Sequence, residues 1–103
     1  MRLMIARLWR GAAAGPTQAQ AYLRHLEGNV LPALEKIPGH RGVRVLRREE
    51  HGRIELLVMT FWESMDAVHA FAGADPERAV VEPEARAVLA DFDDFVRHYE
   101  VER

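Results

Sequence analysis

Apolar and polar positions change period several times along the chain. Residues Leu3 to Trp9 form a short apolar, β-compatible run that ends in the turn-forming RGAAAGP. Beyond it Ala19, Tyr22, Leu23, Leu26, Val30, Leu34 and Ile37 recur at helical spacing, with Thr17 placed to cap the helix after Pro16. That stripe crosses Gly28 and Pro32. Because proline removes one i→i−4 bond and crowds the carbonyl of residue 28, the spacing predicts one kinked helix or two short helices in tandem. Pro38 and Gly39, in IPGHRG, end it. Alternation around Val43 and Val45 marks a second strand over Gly42 to Arg48, and His51–Gly52 a turn into a third strand from Arg53 to Trp62. Ser64 is placed to cap a helix that carries Asp66 in its first turn and Val68, Phe71 and Ala72 on its apolar face. The stretch GADPERAVVEPEARAVLADFDD predicts two short helical pieces separated by Pro83, and Phe95 to Val101 alternates as a fourth strand.

This order is β-α-β-β-α-β, the ferredoxin-like α+β arrangement: a four-stranded antiparallel sheet with helices on one face. Strands one and three are apolar at both alternating sets of positions. Leu3, Ile5 and Trp9 oppose Met4, Ala6 and Leu8, and Leu56, Val58 and Trp62 oppose Leu57, Met59 and Phe61. Helices can cover only one of these faces, so a homodimer in which the two bare faces enclose a shared core is expected.

A chain of 103 residues has the size of one domain. With net charge −2 it has no general field to attract nucleic acid or an anionic membrane. Arg41, Arg44, Arg47, Arg48 and Arg53 make a basic hairpin, but Glu49 and Glu50 dilute it, as in an edge strand charged to avoid pairing. The absence of cysteine excludes disulfides and thiolate chemistry. Arg7 and Arg10 interrupt the first apolar run, so neither a signal-peptide core nor a membrane span is expected there, and the reading is of a soluble cytoplasmic protein. The five histidines, at 25, 40, 51, 69 and 98, form no His-x-x-x-His pair, and GAAAG lacks the spacing of a phosphate loop. No metal or other cofactor is expected.

The candidate chemistry lies at the ends of strands. His69 sits at the rim of its helix's apolar stripe, where an imidazole can reach a cleft between helix and sheet as acid or base. His25 lies off the first helix's stripe, and His40 and His51 sit in turn segments where a solvated role is expected. His98 and Tyr99 point to opposite faces of the last strand, which neighbours the first, so either can approach Arg7. Arg7 interrupts an apolar strand. Glu55, Glu63 or Glu100 can balance its charge in a structural ion pair, or it can hold a substrate phenolate. Tyr22, Trp62 and Phe71 are candidate pocket walls, Tyr22 with its hydroxyl at the rim and Trp62 also as a plug for the sheet end.

The segments MIARLWRG, IPGHRGVRVLRR, VMTFWESMDAVHAFAG and VRHYEV resemble the antibiotic biosynthesis monooxygenase family, within the dimeric α/β-barrel superfamily. The resemblance spans nearly the whole chain and implies one domain over 1–103 and a ferredoxin-like dimer. It also implies an oxygenase without metal or flavin, in which an electron-rich phenolic substrate in a pocket between helices and sheet itself reduces dioxygen. His69, His98 and Arg7 would be catalytic, and Tyr22, Trp62 and Phe71 would touch the substrate. The alternative within the same fold is a non-catalytic dimeric domain that binds a small apolar or aromatic ligand, or serves in stress. The haem-degrading branch is disfavoured: aligned on ARLW and FWES, its asparagine, tryptophan and histidine positions fall at Ala6, Phe71 and near Val81.

Overall fold

The computed structural model describes residues 4–103; Leu3, expected in the first strand, lies outside them. Strand β1 spans Met4–Ala13 and so runs through Gly11, Ala12 and Ala13, where a turn was expected. Those three residues pair with Leu56, Glu55 and Ile54 of the neighbouring strand, and both alanines are buried. Gly11 serves there as a gap rather than a breaker, because a Cβ on it would meet the Trp9 ring at 2.8 Å.

Helix α1 spans Pro16–His25, with Gly15 as its N-cap and Pro16 in its first turn, so Thr17 lies inside the helix and is not the cap. It continues through a π-helical turn, Leu26–Val30, into α2, Leu31–Glu35. The Leu31 N–H reaches back to the Leu26 carbonyl, and the widened turn takes up the register change ahead of Pro32. This is the kink the proline predicted. Strand β2, His40–Glu50, and β3, Arg53–Trp62, flank the expected His51–Gly52 turn. Helix α3, Met65–Ala72, has the expected cap: Ser64 Oγ accepts the Ala67 N–H at 3.3 Å. The last third corrects the sequence reading. Only one helix forms, α4 over Pro83–Val88, while 74–82 stays irregular. Its backbone is tied to distant chain instead, with Ala79 N–H donating to the Asp94 carbonyl at 2.8 Å and Val96 N–H to the Glu77 carbonyl at 2.7 Å. The final strand comes in two pieces, β4 at Asp91–Phe92 and β5 at Arg97–Val101.

All pairings are antiparallel, in the order β2-β3-β1, with β4 and β5 both on the far edge of β1. This is the ferredoxin-like sheet with a two-residue addition. Register fixes the faces. Ile5, Arg7, Trp9 and Ala13 lie opposite Trp62, Thr60, Val58 and Ile54, and this set faces the helices. Trp62, Ile54, Leu56 and Val68 are essentially free of solvent, each such burial worth about 1.5–3 kcal/mol. On the other face Leu8, Leu57, Met59, Phe61 and Val101 are half-buried, and Met4, Leu46 and Tyr99 are exposed.

The chain enters β2 through Gly39 at φ +92, whose carbonyl accepts the Glu63 N–H at 2.7 Å. A Cβ there would meet Ala67 Cβ, on α3, at 2.6 Å. Positive φ and a clash with a packed helix act together, so Gly39→Ala should cost about 2–4 kcal/mol in equilibrium denaturation. A loss under about 0.5 kcal/mol would show that α3 moves aside freely.

Candidate active site: a cavity with a buried arginine

Between the helix-facing side of the sheet and the helices lies a cavity of about 70 Å³. The sheet contributes Arg7, Trp9, Val58 and Thr60, and the first helical segment Tyr22, His25 and Leu26. Phe71 of α3 and the stretch Val80 to Glu82 close it. Apart from a few polar groups the wall is apolar, as in most small-molecule sites.

Arg7 dominates the electrostatics. It is 4 % exposed, because alternation on β1 turns it inward against Thr60. Its Nη1 donates to the Pro76 carbonyl and lies 3.0 Å from His98 Nε2, and its Nη2 donates to the Arg78 carbonyl at 3.1 Å. These contacts engage three of the five guanidinium N–H donors. The guanidinium also lies 5.6 Å from the Phe71 ring centre. The carboxylates expected to balance it are elsewhere. Glu55 binds Arg10 at 2.8 Å, Glu63 binds Arg41, and Glu100 is exposed on β5 opposite Ile5. Among the described residues no carboxylate pairs with Arg7. Burial therefore acts uncompensated and lowers its pKa to about 10, which leaves it charged at neutral pH.

His98 sits behind Arg7 and does not line the cavity. Since an arginine can only donate, Nε2 accepts and the ring is neutral with its proton on Nδ1. Burial, then the Arg7 charge, lowers the His98 pKa, in keeping with that form. Tyr22 is buried on the cavity wall, and desolvation raises its phenol pKa, keeping it a neutral hydroxyl. Thr60 Oγ1 accepts the Trp62 Nε1–H at 2.8 Å, which leaves its own proton to donate.

The remaining candidates divide. Phe71 lines the cavity, whereas Trp62 stands behind it, fully buried and stacked on Phe71 at 5.6 Å between ring centres. Trp62 is the plug, not the wall. His69 is outside the cavity: it is exposed, with Nδ1 3.0 Å from the Gly73 carbonyl at the end of its helix. Tyr99 faces away, on the open side of the sheet with Ala6. Ala6 thus cannot touch the cavity, while Phe71 and Val81 do, and neither side chain can ligate iron.

The histidine that does border the cavity is His25, placed off its helix's apolar stripe by the sequence and found 8 % exposed. Its signal was its position three residues after Tyr22 on the same helix. Its neighbour Glu82 comes from the irregular stretch, which no local pattern marks. Among the described residues no helix is long and apolar enough to cross a membrane.

The family model described as antibiotic biosynthesis monooxygenase matches residues 12–83. A Bacillus cereus protein named for the same family has TM-score 0.65 at 20% identity, covering 98% of this chain and 95% of its own. A Streptomyces coelicolor monooxygenase in complex with nanaomycin D gives 0.60 at 16%, covering 97% and 87%. A haem-degrading protein of Mycobacterium tuberculosis gives 0.58 at 22%, covering 100% and 96%. At such identities these likenesses show the fold. No curated protein sequence matches the chain significantly.

Proposed function

The chain belongs to the antibiotic biosynthesis monooxygenase family, and from that premise we propose that it is a dimeric, cytoplasmic, single-domain oxygenase that takes a small aromatic phenol as its oxyanion in the Arg7 cavity. The observation that carries this reading is the buried guanidinium with no carboxylate partner among the described residues, set in an otherwise apolar wall. An unpaired buried cation is costly to fold around, and an anionic ligand would supply the missing charge.

In this reading Arg7 favours the phenolate over the phenol and so makes the ring a better electron donor. His98 is a positioning residue that holds one guanidinium nitrogen. Tyr22 and Thr60 offer neutral hydroxyls, and Phe71, backed by Trp62, supplies the apolar wall. The phenolate gives an electron to dioxygen, and the radical pair closes a bond between a ring carbon and oxygen. The peroxide takes up a proton. Loss of the hydrogen on that carbon as a proton then breaks the O–O bond, leaving a quinone and water. One dioxygen accepts four electrons, all from the substrate. His69, being outside the cavity, has no role in this scheme.

The test is oxygen uptake with 1,5-dihydroxynaphthalene and no added metal or flavin, where one dioxygen should disappear per quinone formed. A second reading, a binder without turnover, is favoured by the cavity's small volume of about 70 Å³, below the hundreds of Å³ typical of drug-sized ligands. Saturable binding of phenolates with no oxygen uptake would select it. Neither binding nor uptake would reject both.

A further inference from the structure

His25, Glu82 and Glu84 bring one imidazole and two carboxylates together, with their candidate ligand atoms all within 4.8 Å of one another. We propose that they form a divalent-cation site at the rim of the cavity, suited to Zn²⁺. This inference stands apart from the oxygenase reading and does not depend on turnover.

Three observations carry it. First, the His25 side chain is only 7% exposed, yet its buried Nε2 has no hydrogen-bond partner. A buried polar nitrogen left open in this way calls for a ligand. Second, Glu82 Oε1 lies 3.3 Å from that nitrogen without forming a hydrogen bond to it. Ligands bound tetrahedrally at about 2.0–2.1 Å stand about 3.4 Å from one another, so the spacing fits two atoms converging on a shared ion. Glu84 Oε2 is 3.9 Å from Nδ1, and its side chain is 61% exposed and free to swing inward. Third, among the described residues neither glutamate pairs with a lysine or arginine, so two carboxylates and a neutral imidazole leave a charge of about −2 that a divalent ion would cancel.

A group that orients the imidazole is also in place. Asn29 Nδ2 lies 3.0 Å from His25 Nδ1, and half a turn of that amide puts its oxygen there to accept the Nδ1 proton. That frees the Nε2 lone pair for metal, the arrangement metal-bound histidines almost always show. His25 and Glu82 are themselves part of the cavity wall, so the ion and a cavity ligand would be neighbours. No local pattern marks this site, because Glu82 and Glu84 lie far along the chain from His25.

The experiment is titration of the full chain, stripped with a chelator and dialysed, with Zn²⁺ alone. Calorimetry and elemental analysis should agree on one ion per chain, and bound Zn²⁺ should raise the melting temperature. His25→Ala, Glu82→Gln and Glu84→Gln should each weaken binding roughly tenfold or more, and His51→Asn, in the exposed hairpin turn, should not. Should His25→Ala fail to fold, the two glutamine variants decide, since both glutamates are substantially exposed; circular dichroism checks their fold. Absence of saturable binding overturns the site, and so does an affinity unchanged in any one of the folded ligand variants.

Discussion

Val58→Asp should leave no folded protein, while Met59→Glu, its immediate neighbour on β3, should give a folded monomer. Val58 is 7% exposed and lies between Trp9 and Val45 on the helix-facing side. A carboxylate there has no cation opposite it in the register and must either be desolvated or force the helices off the sheet. The cost exceeds about 4 kcal/mol, a large part of a small domain's total stability. Met59 points the other way, between Leu8 and Arg44. In a lone subunit a glutamate at that position is half in water and beside an arginine, so folding tolerates it. If two open faces meet, as proposed, the same charge is buried against a second sheet and the interface fails. Sedimentation and circular dichroism separate the outcomes: wild type at twice the chain mass, Met59→Glu at the chain mass with native ellipticity, Val58→Asp unfolded. A Met59→Glu protein that still sediments as a dimer would show that the open face is not the interface.

The difference between these two neighbours was half legible in the sequence. Apolar residues at both alternating sets of β1 and β3 marked both faces of the sheet as apolar, because period-2 alternation needs no knowledge of the partner. Which set met the helices depended on register, and that is set by contacts far along the chain. The same division runs through the rest. The proline kink near residue 32, the Ser64 cap and the hairpin turn depend on a few adjacent residues and were read correctly. The 74–82 stretch has helix-compatible residues, but the backbone bonds from Ala79 N–H to Asp94 and from Val96 N–H to Glu77 override local preference. His69 lies at the rim of its helix's apolar stripe and His25 off its own, yet His69 meets solvent while His25 meets Glu82, from a distant stretch that neither helix's pattern marks. Arg7 stood out as a charge inside an apolar strand. Its partners did not, because backbone carbonyls such as those of Pro76 and Arg78 leave no mark in a sequence.

Arg7→Met should weaken binding of an aromatic anion roughly tenfold to hundredfold while leaving stability within about 2 kcal/mol of wild type. Two effects oppose each other in the fold. Removing an unpaired buried cation and filling its place with an apolar side chain relieves its desolvation and stabilises, on the order of the 1–4 kcal/mol gained when buried ion pairs are replaced by apolar residues. Leaving the Pro76 and Arg78 carbonyls without their donor costs about 1–3 kcal/mol. The sum is small, which is what a residue kept for binding should show and a residue kept for folding should not. The ligand side has no such cancellation. 4-Nitrophenolate loses a charge-assisted contact in a dry site, about 1.5–3 kcal/mol or roughly a tenfold to hundredfold fall in affinity, whereas its neutral methyl ether should bind both proteins alike. Arg7→Lys keeps the charge but not the planar fork, and should fall between the two. For the wild type, affinity for the anion should also drop as pH climbs through about 10, where burial lets Arg7 lose its proton well before an ordinary arginine would. Denaturant melts and absorbance titrations read both halves. A loss of more than about 3 kcal/mol with anion binding intact would make Arg7 a clasp for the Pro76–Arg78 loop rather than the group that receives the substrate's charge.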